Sequence, residues 1–258
     1  MRKYILLNFD VEEFDAPLKY GEKIKPSVQF DISLMGLRNI LSLLEHLKIR
    51  ATFFVTANFA LHHPELIEAI ARTHEIASHG FYHSKFSPED LWKSKQVLEE
   101  ISGQTVSGFR MGEQQIINEQ AILASGYQYH SSFNSNYYQG KRRTVHYCDH
   151  LLNLPISVTP FVRFPLFGLS FKNLPFPLIQ FASQITLDSD RYLNLNFHPW
   201  EFTDISKFKL PNSVKRLSGI HLLNRLEKYL IWLKKQAEFS TISDWINRIK
   251  HQKYDILG

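Results

Sequence analysis

The strongest constraint on this chain is a series of short apolar runs that show no in–out alternation of polar residues. Tyr4 to Phe9 is the first. A strand that reads apolar on both faces is buried on both faces, which is the habit of parallel sheets covered by helices. Ala51 to Val55 is a second buried strand, Glu75 to Ser78 reads as a third short one, and Gly108 to Arg110, Tyr127 to Tyr129, Tyr192 to Phe197 and Phe239 to Ile242 are further strand candidates. Between them lie segments with helical spacing. Leu34, Leu37, Ile40, Leu41, Leu44 and Leu47 form one face. Pro64 and Pro88 stand where helices begin, and Gly103 where one stops. Glu119 to Ser125, Ile220 to Gln236 and Ser243 to Ile249 complete the helical set. Strand and helix in alternation predict an α/β fold with a parallel sheet.

The chain's 258 residues fit one large domain over 1–258 and leave room for a sizeable core. One stretch, about 131–187, breaks the alternation. It holds seven of the twenty phenylalanines, punctuated by prolines, and is expected to be an irregular insertion folded over the main domain with its aromatics inward. An apolar substrate or peripheral membrane contact is the other reading of those aromatics. The single cysteine, Cys148, allows no internal disulfide, which fits a reducing compartment. The net charge of +5 is scattered apart from Lys141-Arg142-Arg143. That run reads as a solvated loop or as attraction for an anionic substrate, and no nucleic-acid motif accompanies it. The first apolar run is too short for a signal-peptide core, and no stretch reaches the length of a membrane span, so a cytoplasmic location is expected.

Polar groups gather where predicted strands end. Asp10-Val11-Glu12-Glu13 follows the first strand, Ser78-His79-Gly80-Phe81-Tyr82-His83 the third, Arg110 the next, and Asn196-Phe197-His198-Pro199-Trp200-Glu201 ends a late one. In a parallel barrel these carboxyl ends share one mouth. His79 and His83, on a turn rather than a helix, with a carboxylate from Glu12 or Glu13, make a two-imidazole, one-carboxylate set typical of catalytic zinc. A turn beginning at Val11 is expected to bring Asp10 and Glu12 to the mouth together. Asp10 reads either as a cap or as a general base, and Arg110 as its partner. His198 reads either as a satisfied buried ring or as a general acid, with Glu201 capping or orienting it.

These motifs, in order, resemble those of the polysaccharide deacetylases of the NodB-homology type, carbohydrate esterase family four, and within it the branch related to exosortase-associated deacetylases and cofactor-free allantoinases. Phe9–Glu13 is similar to the branch's first motif, Glu75–His83 to the second, Gly108–Arg110 to the third, Gly168–Pro175 to a Gly-Gly-Tyr-Phe-Arg-x-x-Pro segment, and Phe197–Phe202 to the last. The resemblance implies a distorted (β/α) barrel with fewer than eight strands, about seven. It implies a divalent metal ion, zinc first and cobalt, manganese or nickel as substitutes, and hydrolysis of N-acetyl groups. The substrates implied are an N-acetylated sugar, a sugar nucleotide or a lipid-linked saccharide. By the same resemblance Asp10 is the base, Arg110 its partner, His198 the acid, and Glu12, His79 and His83 the ligands, with Glu13 as the fallback. Tyr82, Glu113 and Trp200 are expected to face substrate. The chain departs from the pattern at Met111-Gly112-Glu113, at His130 (expected to bring another ring to the cleft), at Lys172 where the branch has Arg, and in using Glu as the metal carboxylate. A small cyclic or linear amide as substrate, or glycan binding without turnover, are the competing expectations.

Overall fold

The computed structural model describes residues 2–111, 118–131 and 145–254. In chain order the strands are β1 (Tyr4–Val11), β2 (Thr52–Val55), β3 (Glu75–Ser78), β4 (Gly108–Phe109), β5 (Tyr129–His130), β6 (His146–Cys148), β7 (Leu151–Asn153), β8 (Tyr192–Phe197) and β9 (Glu238–Ser240). The helices are α1 (Pro26–Leu47), α2 (Ala57–His62), α3 (Pro64–Ala71), α4 (Asp90–Ser102), α5 (Glu119–Ala124), α6 (Gly168–Asn173), α7 (Phe176–Asp190), α8 (Asn212–Lys215), α9 (Ile220–Leu233) and α10 (Ile242–Tyr254). The sheet runs β6-β7-β5-β4-β3-β2-β1-β8, with β9 also on β1. The seven strands from β7 to β8 along this path pair in parallel; β6 is antiparallel at the edge. This is the expected α/β architecture, a curled sheet of barrel type.

The curl is completed without a strand ladder. The chain leaving β7 swings to β8, where Ser157 N–H donates to Asn194 O at 3.0 Å and Asn194 Nδ2 donates to Pro155 O at 3.0 Å. Strand alternation then sorts the two faces. Ile5, Leu7, Phe9 and Val11 pack outward into the main core. Tyr4 and Leu6 point inward with Phe54, Tyr129, Leu152 and Tyr192, and Ile242, Trp245 and Ile246 of α10 plug this lower end. Above that apolar layer the interior turns polar. Asn8 donates to Leu6 O and Leu195 O, and Asn194 donates to Ser131 Oγ. Buried amides need such partners, and these put a rigid polar floor beneath Asp10.

The stretch 131–187 is not irregular throughout. Its described part contains β6, β7, α6 and most of α7. Pro175 and Pro177, read as loop punctuation, sit at the start of α7, where a missing N–H costs nothing. Its aromatics divide. Phe171 is buried, whereas Phe161 is 88% and Phe181 63% exposed. Gly112, Glu113, Ser132 and the Lys141-Arg142-Arg143 run lie outside the described residues.

One close approach sets the late part of the site. Gly36 on α1 faces the Pro199 carbonyl, and a β-carbon there would come 1.9 Å from its oxygen. Asn39 Nδ2 donates to Phe202 O at 3.0 Å, and Thr203 Oγ1 donates to Ile32 O at 3.1 Å, locking α1 to the 3-10 turn Pro199–Phe202. Gly36→Ala is therefore expected to destabilise the protein by about 1–3 kcal/mol, the usual cost of overpacking. An unchanged denaturation midpoint would show that α1 and the turn separate freely.

Candidate metal and catalytic site

Three ligand atoms converge at the strand ends. His79 Nε2 lies 3.1 Å and His83 Nε2 3.2 Å from Glu12 Oε2. Glu12, His79 and His83 are the one group of His, Cys, Asp or Glu among the described residues whose ligand atoms sit this close together. Each is placed by its element. β1 stays extended through Val11, so Glu12 follows Asp10 on the inward face by the two-residue repeat, and no turn at Val11 is needed. His79 N–H donates to Val55 O at the end of β2. The turn to His83 starts at Gly80, φ 80°, and is pinned by Ala57 N–H to Gly80 O and Asn58 N–H to Phe81 O. Turn geometry, not a helix face, thus aims the two rings, as expected.

The set is braced from outside. Trp200 Nε1–H donates to Glu12 Oε1 at 3.1 Å, and Asp15 Oδ1 lies 2.7 Å from His83 Nδ1. A carboxylate behind an imidazole fixes the ring and leaves Nε2 for an ion. His79 Nδ1 has no such partner. Trp200, expected to face substrate, does line the cleft, but its N–H is committed to Glu12. Glu13 takes no part in the cluster: its carboxylate accepts from Thr56 Oγ1 and Asn58 Nδ2, and burial raises its pKa. Burial pulls Glu12 upward too, but the imidazoles of His83, His198 and His79 outweigh it and hold Glu12 below its ordinary value.

Asp10 stands beside this set. Arg110 Nη1 donates to its Oδ1 at 2.8 Å, and Asn196 Nδ2 donates to its Oδ2 at 2.7 Å. Arg110 is itself immobilised. It donates to Ser131 O and Oγ and to Asn196 Oδ1, and its guanidinium stacks on Phe54 at 4.0 Å. Burial opposes the charge on Asp10, but Arg110, His79 and His198 more than offset it, so its pKa is lowered. His198 Nε2 lies 3.9 Å from Asp10 Oδ2 and 4.0 Å from Glu12 Oε1. Burial lowers its pKa; Glu12, Glu201 and Asp10 together push it up to about 9. A cation on Glu12 weakens the first of those pulls and leaves Glu201. That carboxylate accepts from the His198 backbone N–H at 3.2 Å and is tied to the buried Lys172 ammonium at 2.6 Å.

A cleft of about 290 Å³ opens over these groups, walled by Phe167, Leu169, Leu210 and Val214 on one side and by Lys19 and Tyr20 on another. Tyr82 is 43% exposed and lies outside the cleft lining. His130 does not reach the cleft. Its neighbours Tyr129 and Ser131 point inward, so alternation turns His130 out, 3.4 Å from Glu119. Asp15 is the residue the sequence reading missed; Asn196 was named at its strand end and Ser131 beside His130, but neither was given the task of holding Asp10 or Arg110, for which the parity of Asn196 with His198 was the available sign.

Residues 26–129 match the family described as polysaccharide deacetylase. The chain's resemblance is to the polysaccharide deacetylases. Solved structures extend the likeness of fold to nearly the whole chain. A probable polysaccharide deacetylase from Pseudomonas aeruginosa is 15% identical with a TM-score of 0.66, over 96% of this chain and 91% of that one. An allantoinase is 17% identical with a TM-score of 0.63, over 93% and 88%. A pseudoenzyme of carbohydrate esterase family four from Bacillus anthracis is 12% identical with a TM-score of 0.53, over 94% and 65%. No curated protein sequence matches the chain. The fold alone is shared by members with different activities, so the side chains in the cleft carry the functional argument.

Proposed function

We infer that the protein removes the acetyl group from the nitrogen of an amino sugar, using one divalent metal ion, zinc by the chemistry of its donors, held by Glu12, His79 and His83. One observation carries this: the three-ligand set, the Asp10–Arg110 pair and His198 face one another across a single cleft. The donors suit such an ion. Two imidazole nitrogens and one carboxylate oxygen make a borderline donor set that leaves positions open. When bound, the ion supplies Lewis acidity toward the amide carbonyl and an attacking water.

This chain's own groups do the rest. Asp10, held ionised by Arg110 and oriented by Asn196, takes the water's proton. His198, held protonated by Glu201 and the nearby carboxylates, delivers a proton to the departing amine. The apolar wall at Phe167 and Leu169 excludes bulk water and has the size for one sugar ring. The substrate is an N-acetylated sugar, free, nucleotide-linked or lipid-linked; in a cytoplasmic setting this is a precursor rather than a finished polymer. Among the described residues, no helix is long and apolar enough to cross a membrane.

The test is metal analysis joined to acetate release over N-acetylhexosamines and nucleotide sugars, with small ureides as the control panel. His79→Ala is expected to lose one equivalent of bound metal and all acetate release while remaining folded. Asp15→Asn, which frees the His83 ring, is expected to weaken metal binding ~10–100-fold. Unchanged stoichiometry in the His79 variant sinks the ligand assignment, and turnover of ureides alone sinks the sugar reading.

A further inference from the structure

On the outer face of the sheet, away from the cleft, a second set of metal-ligating side chains is brought together. In the strand register His130 of β5 and His146 of β6 both align with Asn153 of β7. Residues aligned across neighbouring strands put their side chains on one face, and Cys148, two residues beyond His146, shares it. Glu119, at the first turn of α5, lies over this row. Asn153 Nδ2 donates to Glu119 Oε1 at 3.2 Å, and His130 Nε2 is 3.4 Å from the same oxygen. The Cys148 thiol and the Glu119 carboxylate act on each other's ionisation, and both His130 and His146 act on the charge of Glu119.

His130 is the telling member. It is 6% exposed; its Nε2 has only the long 3.4 Å contact with Glu119, and its Nδ1 has no hydrogen-bond partner among the described residues. A buried imidazole held by one long contact is costly unless a further group takes a ring nitrogen. We propose that Glu119, His130, His146 and Cys148 form a second, structural site for a transition-metal ion, distinct from the Glu12 set. Four ligands of thiolate, imidazole and carboxylate type close a tetrahedral shell, and the thiolate selects zinc-like or softer ions over magnesium and calcium. The ligand atoms are spread more widely than those of Glu12, His79 and His83. His146 and Cys148 are exposed side chains, and their rotation onto Glu119 closes the set. Glu119 now raises the Cys148 thiol pKa; a cation between the two reverses that influence, so binding releases the thiol proton. The ion ties the edge strand β6 to β5 and α5.

Because Cys148 is the only cysteine, sulfur-to-cobalt charge transfer reports on this site alone. Titrating the full-length protein with Co²⁺ is expected to produce that near-ultraviolet band in the wild type and in His79→Ala, and none in Cys148→Ser. Zn²⁺ is expected to slow alkylation of Cys148 by at least ~10-fold, and Glu119→Gln with His130→Ala to abolish the protection. The His79 background separates this site from the cleft, so failure of either assignment leaves the other readable. Absence of the cobalt band in the wild type, or an alkylation rate indifferent to Zn²⁺, overturns the proposal.

Discussion

Asp10→Asn is expected to keep its metal and lose turnover by about 10³-fold, within the range for a general base taken out of proton transfer. The reason lies in how the two oxygens of Asp10 are used. Oδ1 accepts from Arg110 and Oδ2 from Asn196, so the carboxylate is fixed and ionised without contributing to the set around Glu12. An asparagine keeps the shape but turns one acceptor into a donor. Its amide nitrogen must then face either Arg110 or Asn196, both already donating. One buried donor left unpaired costs about 1–3 kcal/mol, so a modest fall in stability accompanies the loss of activity. Metal content by elemental analysis, acetate release and a denaturation curve read the three parts separately. Wild-type turnover would remove Asp10 from the chemistry; loss of the metal would place it among the ligands instead.

How far the sequence discloses this site follows from what each residue depends on. Strands β1 and β2 were legible because burial on both faces leaves a largely apolar run. The gathering of polar groups at the strand ends was legible because a parallel sheet brings those ends together. The choice between Glu12 and Glu13 was legible in principle: a residue two beyond Asp10 shares its face, and Glu13 falls on the other side with Thr56 and Asn58. The expected turn at Val11 obscured that. The stretch 131–187 was not legible, because β7 is three residues long and carries no period, and the prolines of α7 mark its start as well as they mark a loop. Partners fixed only by tertiary structure were hidden altogether. Nothing near Lys172 announces Glu201, and nothing near Asp15 announces His83. His130 was read toward the cleft through its place in a motif, where strand parity turns it outward.

Lys172→Met tests the deepest of those hidden pairs. The ammonium is fully buried, 2.6 Å from Glu201 Oε1 and 2.8 Å from Val214 O. Removing it strands a buried carboxylate, and broken buried pairs of this kind cost about 3–5 kcal/mol, a large part of the ~5–15 kcal/mol that holds a domain folded. Glu201 has little room to escape, since even a β-carbon on Gly168 would come within 2.6 Å of its Oε2. Burial raises the pKa of Glu201, but Lys172 and His198 outweigh it and bring it down to about 2 from an ordinary 4.5. A carboxylate depressed on folding contributes stability that is complete above 4.5 and lost as the pH falls toward 2. Adding Glu201→Gln to Lys172→Met removes the stranded charge. The double variant is therefore expected to regain much of the stability and to lose the acid-side decline that this pair causes. Its turnover is expected to stay low, because His198 no longer has the Glu201 carboxylate that holds and charges it. Denaturant midpoints between pH 7 and 3, set beside acetate release, check both halves. A single variant as stable as wild type, or a double variant with wild-type turnover, would reduce Lys172 and Glu201 to packing alone.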